Sequence, residues 1–298
     1  MRVKVVINPG AGQPEPVLSI LNDTLGAAGI EWDVAVTHLQ GDGFAAARVA
    51  VDEGWDLIGA YGGDGTLAEV ASALAQGGPP MAVLPGGTGN ALAEDLGIPR
   101  TLEEATALVA SGDYDLRRID MGLAGDTSFI LRLTMGFEAS LVEAATREMK
   151  DRYGWLAYAF AGLRQLSSPP TAHYHIDVDG EVVEVDGLAC IVANSASTGI
   201  LGVRIADDVS LSDGLLDVVV IGLPDLASYL GSAADAATGQ PPRAVSRWKG
   251  KRIRVESSPP QSVLADGEPI GMTPVEASAT PGAITVVVPK AGSDVGAR

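Results

Sequence analysis

Asp64 stands among glycines in Gly62-Gly63-Asp64-Gly65-Thr66, directly after the apolar run Leu57 to Tyr61. Two more glycine turns, Asn8-Pro9-Gly10-Ala11-Gly12 and Pro85-Gly86-Gly87-Thr88-Gly89-Asn90, also follow aliphatic runs. Glycine brings backbone amides close to an anion, and a helix starting just beyond adds the positive end of its dipole. Turns of this kind suit phosphate. A carboxylate among them repels a bare phosphate, but fits if Mg²⁺ or its bound water lies between Asp64 and the phosphates, which points to ATP chemistry. Gly62, Gly63, Gly65, Thr66 and Gly87 are the backbone candidates. Asn8, Thr88 and Asn90 offer side-chain donors to phosphate or ribose oxygens. Each of these three also reads as a turn former or cap, and so does Asp64.

Two familiar nucleotide sites fit less well. Gly63-x-Gly65-x-x-Ala68 matches the dinucleotide fingerprint in its Gly/Ala form, but the acid for the ribose expected about 20 residues on is replaced by Met81-Ala82-Val83-Leu84-Pro85. No Gly-x-x-x-x-Gly-Lys-Ser/Thr occurs, and neither inner turn carries a lysine, so a P-loop is not indicated.

These turns need strands before them and helices after them. Residues 1–120 alternate short β runs (Val3 to Ile7, Trp32 to Val36, Leu57 to Tyr61, Met81 to Leu84) with helical patterns near Pro16 to Ala28, from Asp42, from Thr66, near Asn90 and near Thr101. Such alternation predicts a parallel sheet covered by helices. Thr66 with Glu69 and Thr101 with Glu104 both fit a capping box. As a turn residue, Asp64 is expected to contribute little to packing.

From about Leu116 the texture changes to β runs linked by Asp-Gly, Pro-Pro and Ser-rich turns: Ser128 to Thr134, Thr171 to Val178, Glu181 to Val185, Leu188 to Ala193, Leu216 to Ile221, Lys251 to Val255, Ser262 to Leu264 and Ile284 to Val288. Helical interruptions are predicted near Glu138 to Lys150, Gly154 to Leu166 and Leu226 to Ala237. The expected class is α/β, with an N-terminal parallel-sheet nucleotide-binding domain over 1–120. A mainly antiparallel second domain over 121–290 and a small polar tail over 291–298 complete it.

A formal net charge of −18 over 298 residues argues against nucleic acid as a partner and weakens attraction to an anionic membrane surface. The single cysteine, Cys190, lies in an apolar run and fits a reducing compartment. The N-terminal apolar segment is too short for a signal peptide, and no stretch approaches a membrane span. A cytoplasmic protein is expected, reaching any lipid at the membrane from that side.

The ordered set Asn-Pro-x-x-Gly, Gly-Gly-Asp-Gly-Thr-x-x-Glu-Val (Gly62 to Val70) and Pro-Gly-Gly-Thr-Gly-Asn-Ala-Leu-Ala (Pro85 to Ala93) resembles the diacylglycerol kinase catalytic domain family, which includes related lipid and sphingosine kinases. Later blocks resemble it too: Lys150 to Tyr158, Ser212 to Val218 and Asp266-Gly267-Glu268. Gly-Gly-Asp-Gly-Thr alone is shared with NAD kinases and phosphofructokinase-like folds, so the later blocks carry the specificity.

The resemblance implies that the second domain, 121–290, is a β-sandwich that takes the lipid acceptor, and that the chain is an ATP-dependent lipid kinase, Mg²⁺-dependent and peripheral to the membrane, that phosphorylates a hydroxyl of diacylglycerol or a related lipid. Gly62, Gly63, Gly65 and Thr66 would line the phosphates, Asn8 and Thr88 would contact the nucleotide, and Asp64 would act through catalytic Mg²⁺. Glu268 would accept the proton of the acceptor hydroxyl. Asp213, with backbone carbonyls such as that of Leu215, would hold a second, structural Mg²⁺; Ser212-Asp213-Gly214 also reads as a plain turn. The alternatives are an NAD kinase-like enzyme with a soluble acceptor and a non-catalytic nucleotide-binding regulator; a homodimer stays open.

Asp-Gly-Glu occurs twice, at Asp179 to Glu181 and Asp266 to Glu268, and both fit a two-residue hairpin turn. Only the resemblance favours the second. His173 and His175 share a strand face and read as solvated. Six basic residues from Arg243 to Arg254 surround Trp248 and suit either lipid headgroups or a solvated hairpin. Three departures stand out. Ala11 stands where many members have serine, removing a hydroxyl near the phosphates. The usual Asn with a Gly-Gly-Gly run becomes Asn194 to Gly202, and the usual proline after it is missing at Ala206-Asp207-Asp208, which puts the acceptor more than the reaction in question.

Overall fold

Runs of valine, isoleucine and leucine form the strands of a computed structural model that describes residues 1–12, 15–75, 77–136, 171–197, 204–206, 208–222 and 246–290. The predicted helices over Glu138 to Lys150, Gly154 to Leu166 and Leu226 to Ala237, the block Lys150 to Tyr158, Arg243 and the tail lie outside the described residues. Two units are distinguished, Met1–Ile119 with Gly282–Arg298, and Asp120–Pro281.

In the first unit, β1 (Arg2–Ile7), β2 (Glu31–Val36), β3 (Leu57–Gly62) and β4 (Met81–Pro85) are parallel, in the order β2-β1-β3-β4. Val5 lies opposite Val34 on one side and Gly59 on the other, and Ala60 lies opposite Val83. Every residue of β3 and β4 is buried. That suits strands covered on both faces and explains their unbroken apolar character. The order reverses between β1 and β3, where open α/β sheets leave a crevice at the carboxyl ends of the strands.

The helices are α1 (Val17–Leu21), α2 (Asp42–Asp52), α3 (Asp64–Leu74), α4 (Ala91–Leu96) and α5 (Leu102–Ser111). The predicted helix over Pro16 to Ala28 is a short α-helix that continues as a π turn, Asn22–Gly26. Thr101 caps α5 as expected, its hydroxyl accepting the Glu104 N–H at 3.2 Å. The capping box expected at Thr66 and Glu69 does not form. Helix α3 begins two residues earlier, with Gly63 as its cap, and the Glu69 carboxylate instead accepts the Gly41 and Gly43 N–H groups at 2.8 and 2.9 Å. It therefore caps α2, whose own cap residue, Gly41, has a φ of 88° and no side chain to do so.

The second unit is antiparallel. One sheet has six strands in the order β12 (Ser246–Gly250), β11 (Leu216–Ile221), β10 (Ala189–Ala193), β7 (Arg132–Gly136), β14 (Ser262–Ala265) and β15 (Glu268–Met272). In the other, β9 (Glu181–Gly187), β8 (Ala172–Val178), β13 (Arg252–Ser258) and the first part of β16 (Val275–Pro289) are neighbours. Phe129, Tyr174, Ile176, Cys190, Val218 and Ile253 meet in one buried core drawn from both sheets, the packing of a sandwich. Burial pushes the Cys190 thiol well above its ordinary range. Strand β5 (Tyr114–Ala124) runs across the boundary between the units and pairs with β6 (Thr127–Phe129).

Strand β16 changes partner along its length. Its first residues pair with β13, Ile253 opposite Ala277, whereas Val286 pairs in parallel with Met81 of β4. Residues from Gly282 onward therefore group with the first unit.

Candidate active site

The three glycine turns of the first unit touch one another at the carboxyl ends of β1, β3 and β4. Asn8 joins the first two: its Oδ1 accepts the Gly10 N–H at 3.0 Å and its Nδ2 donates to Thr66 Oγ1 at 3.0 Å. The Gly86 N–H donates to the Gly62 carbonyl at 3.0 Å, tying the second turn to the third. Glycine is required where the backbones meet. A Cβ on Gly87 would lie 2.6 Å from the Gly63 Cα, and one on Gly12, at φ +64°, would lie 1.9 Å from the Gly86 carbonyl oxygen.

Within this surface the predicted residues divide. Gly65 and Thr88 are exposed, and nothing lies within 4 Å of where a Cβ on Gly65 would stand. Thr66 is buried and committed to Asn8. Asn90, in left-handed backbone with φ 53°, accepts the Gly87 N–H at 3.0 Å and donates to the Gly87 carbonyl at 2.7 Å, so both ends of its amide close the third turn. Asp64 accepts the Ala91 N–H at 3.1 Å and the Leu92 N–H at 3.3 Å. It satisfies two first-turn amides of α4, so it contributes to stability more than its position in a turn suggested. Beside this surface, the Tyr61 hydroxyl donates to Glu15 at 3.2 Å, and burial followed by the Glu15 charge pushes its pKa up to about 12.

In the second unit, Asp266 and Gly267 have φ of 47° and 91°, the positive pair that a two-residue hairpin turn between β14 and β15 demands. Glu268 opens β15 and is exposed. The Asp266 carboxylate turns inward and accepts three backbone N–H groups, from Ile130 at 2.7 Å, Leu131 at 2.9 Å and Arg132 at 2.9 Å. Burial pushes its pKa up to about 6, against these donors, which favour the charged form. The same segment is held from its other side: fully buried Asn194 donates to the Ile130 carbonyl at 2.8 Å and the Asp120 carbonyl at 2.9 Å, and Arg132 donates to the Ser197 carbonyl at 2.9 Å. Of the altered loop, Asn194 to Ser197 are described and residues 198–203 lie outside the described residues.

A model of the diacylglycerol kinase catalytic domain matches residues 2–124, and a model of the YegS C-terminal NAD kinase beta sandwich-like domain matches residues 132–288. The Bacillus subtilis (strain 168) protein named diacylglycerol kinase is 31% identical over 296 residues, which cover 97% of this chain and 97% of that protein. The chain belongs to the diacylglycerol kinase family.

A crystal structure described as a diacylglycerol kinase from Bacillus anthracis str. Sterne matches with a TM-score of 0.82 at 26% identity, covering 97% of each chain. An uncharacterized Synechocystis protein, sll0036, is 35% identical over 244 residues, which are 80% of this chain but 56% of that relative's length. The family is one of lipid kinases, and no helix among the described residues is long and apolar enough to cross a membrane.

The remaining predicted residues lie in the family's second domain. Asp213 Oδ1 accepts the Leu215 N–H at 3.1 Å and its Oδ2 accepts from Lys249 Nζ at 2.9 Å. Among the basic residues around Trp248, Arg247 and Lys249 pair with aspartates and Arg254 with Glu256 and Glu276, while Trp248 packs against the sandwich core. His173 pairs with Asp186 and His175 with Glu184 on the outer face of β8 and β9. Among the described residues, no three His, Cys, Asp or Glu side chains gather as metal ligands.

Proposed function

We propose that the chain is an ATP-dependent lipid kinase that transfers the γ-phosphoryl group to a hydroxyl of diacylglycerol or a related lipid. The observation that supports the nucleotide part best is the mutual contact of the three glycine turns, Gly63 against Gly87 and Gly12 against Gly86, at the start of α3 and α4. It gathers glycine backbone and two helix N-termini into one surface of the first unit, where phosphate oxygens suit them. Asn8 and Thr88 are assigned to the nucleotide.

Asp64 remains chemically suited to a divalent ion. Its carboxylate, placed at the start of α3 beside the glycine turns, is a hard oxygen donor of the kind Mg²⁺ or a metal-bound water takes. Mg²⁺, when bound there, would supply charge neutralisation for the phosphates. In the reaction the acceptor oxygen forms a bond to the γ-phosphorus, the bond from that phosphorus to the β–γ bridging oxygen breaks, and ADP leaves. The acceptor proton passes to the Glu268 carboxylate, whose main task in so loose a transition state is orientation. The likeness of the matched sandwich family to NAD kinase supports the second reading, phosphorylation of NAD.

Labelled ATP, the purified chain and a total lipid extract test the proposal against NAD as acceptor. Label in a lipid is expected; label in NAD alone ends the lipid reading. Asp64→Asn is expected to lower turnover about 100-fold or more while keeping an acceptor for the α4 amides, whereas Asp64→Ala also costs about 1 kcal/mol of stability. Wild-type turnover in Asp64→Asn would remove Asp64 from the mechanism.

A further inference from the structure

Strand pairing and the segment before β11 bring three carboxylates of the second unit to two cations. The antiparallel register of β11 and β12 puts Asp217 directly opposite Lys249 and Val219 opposite Arg247. Asp217, only 1% exposed, takes Arg247 Nε at 2.9 Å on Oδ1 and Lys249 Nζ at 3.4 Å near Oδ2. Arg247 also bonds Asp208. The Lys249 ammonium reaches Asp213 Oδ2 at 2.9 Å and the Asp208 carbonyl at 3.4 Å. One ammonium therefore meets two carboxylates and a backbone carbonyl, a hard-oxygen donor set of the type a small cation takes.

We propose that Lys249 is the resident cation of the second unit and does, through its ammonium, what a divalent ion on Asp213 would otherwise do. The Lys249 ammonium stands on Asp213 Oδ2 and the Leu215 N–H on Oδ1, so a divalent ion on this carboxylate would sit against a positive charge already there. A divalent ion would have to displace a charge that is covalently attached and placed by strand register. Its effective concentration at the site is fixed by the fold, and it does not vary with the metal content of the surroundings. Arg247 cannot replace it, because its guanidinium is engaged by Asp208 and Asp217. The inference is independent of the acceptor and of turnover.

Thermal unfolding of the nucleotide-free full chain at fixed ionic strength tests it. Wild type is expected to unfold at the same temperature in EDTA, Mg²⁺ or Ca²⁺. Lys249→Met is expected to unfold about 3–6 °C lower and to be raised again by Ca²⁺ or Mg²⁺, because an uncompensated carboxylate pair then seeks a cation. Adding Asp213→Asn should recover part of the loss and abolish the metal response, which keeps the test open if the single variant does not fold. Lys249→Arg should retain most of the wild-type stability. A wild type weakened by EDTA and restored by Mg²⁺, with Asp213→Asn removing the response, would overturn the proposal. So would Lys249→Met unfolding at the wild-type temperature. A Mg²⁺ effect that survives in Asp213→Asn arises elsewhere, and leaves an Asp213-dependent shift as the deciding quantity.

Discussion

The same tripeptide, Asp-Gly-Glu, makes the same turn twice in the second unit and is fastened differently each time. Asp179 and Gly180 have φ of 54° and 96°, close to the 47° and 91° of Asp266 and Gly267. Asp179 is exposed and accepts two strand-end amides, Lys251 at 2.8 Å and Arg252 at 2.9 Å, which hold its carboxyl below the usual range. Asp266 is turned inward onto three amides, and burial drives its pKa the other way. The first turn closes a hairpin at the surface; the second is fixed to Ile130–Arg132, which Asn194 and Ser197 hold in place as well. A turn sequence thus specifies a backbone bend, while its surroundings decide whether the residue that follows is held rigidly enough to do chemistry.

The largest expected difference between the turns is in stability. Asp266→Ala leaves three N–H groups without their acceptor in a buried setting and should cost about 3–5 kcal/mol in urea unfolding. Asp179→Ala exposes its two to water and should cost about 1 kcal/mol or less. Equal losses would break the comparison. Next comes turnover. Glu268→Gln is expected to slow phosphoryl transfer about 100-fold with nearly unchanged ATP affinity, and Glu181→Gln to leave it unchanged. Equal loss in both variants would show that the two turns do not differ in function.

The smallest effect is the sign of the pH dependence. Between the ordinary carboxylate range and about pH 6, Asp266 is ionised in the unfolded chain but holds its proton when folded, so its contribution to stability falls as pH rises through that window. Asp179 has a lowered folded pKa, so its contribution is present above the ordinary value and is lost on acidification below it. Asp266→Asn should flatten the first slope and Asp179→Asn the second, as read from unfolding midpoints between pH 3 and 7. Slopes of the same sign would contradict the opposed environments.

Much of the first unit was legible because its signals are local. Strands β1 to β4 differ from the predicted runs by a residue at an end, since aliphatic runs bounded by glycine leave little choice. The start of α3 was misplaced because a Thr-x-x-Glu spacing is satisfied equally by a glutamate that caps a neighbouring helix, as Glu69 does. In the second unit β12 was hidden by charge: Arg247 and Lys249 alternate around Trp248, and only the register with β11 shows that they face Asp217. Strand β15 carries Pro269 and Gly271, a pattern that fits an edge strand and reads poorly as a strand at all. The inward turn of Asp266 was missed for a related reason. Its acceptors' partners lie 134 to 136 residues away, and no window of sequence connects them.

The partner change along β16 also has a consequence for synthesis. Met81 of β4 receives its outer neighbour, Val286, from the far end of the chain, so the second unit is an insertion within the first. On the ribosome, residues 1–119 emerge with β4 as an open sheet edge and wait for nearly all the remaining chain before that edge is closed. Until then the nascent first unit carries an unpaired, wholly apolar strand, the feature from which edge-to-edge aggregation begins. A fragment cut at residue 119 would keep that edge permanently, whereas a circular permutant joining residues 282–290 to Met1 would complete the sheet before the sandwich is made.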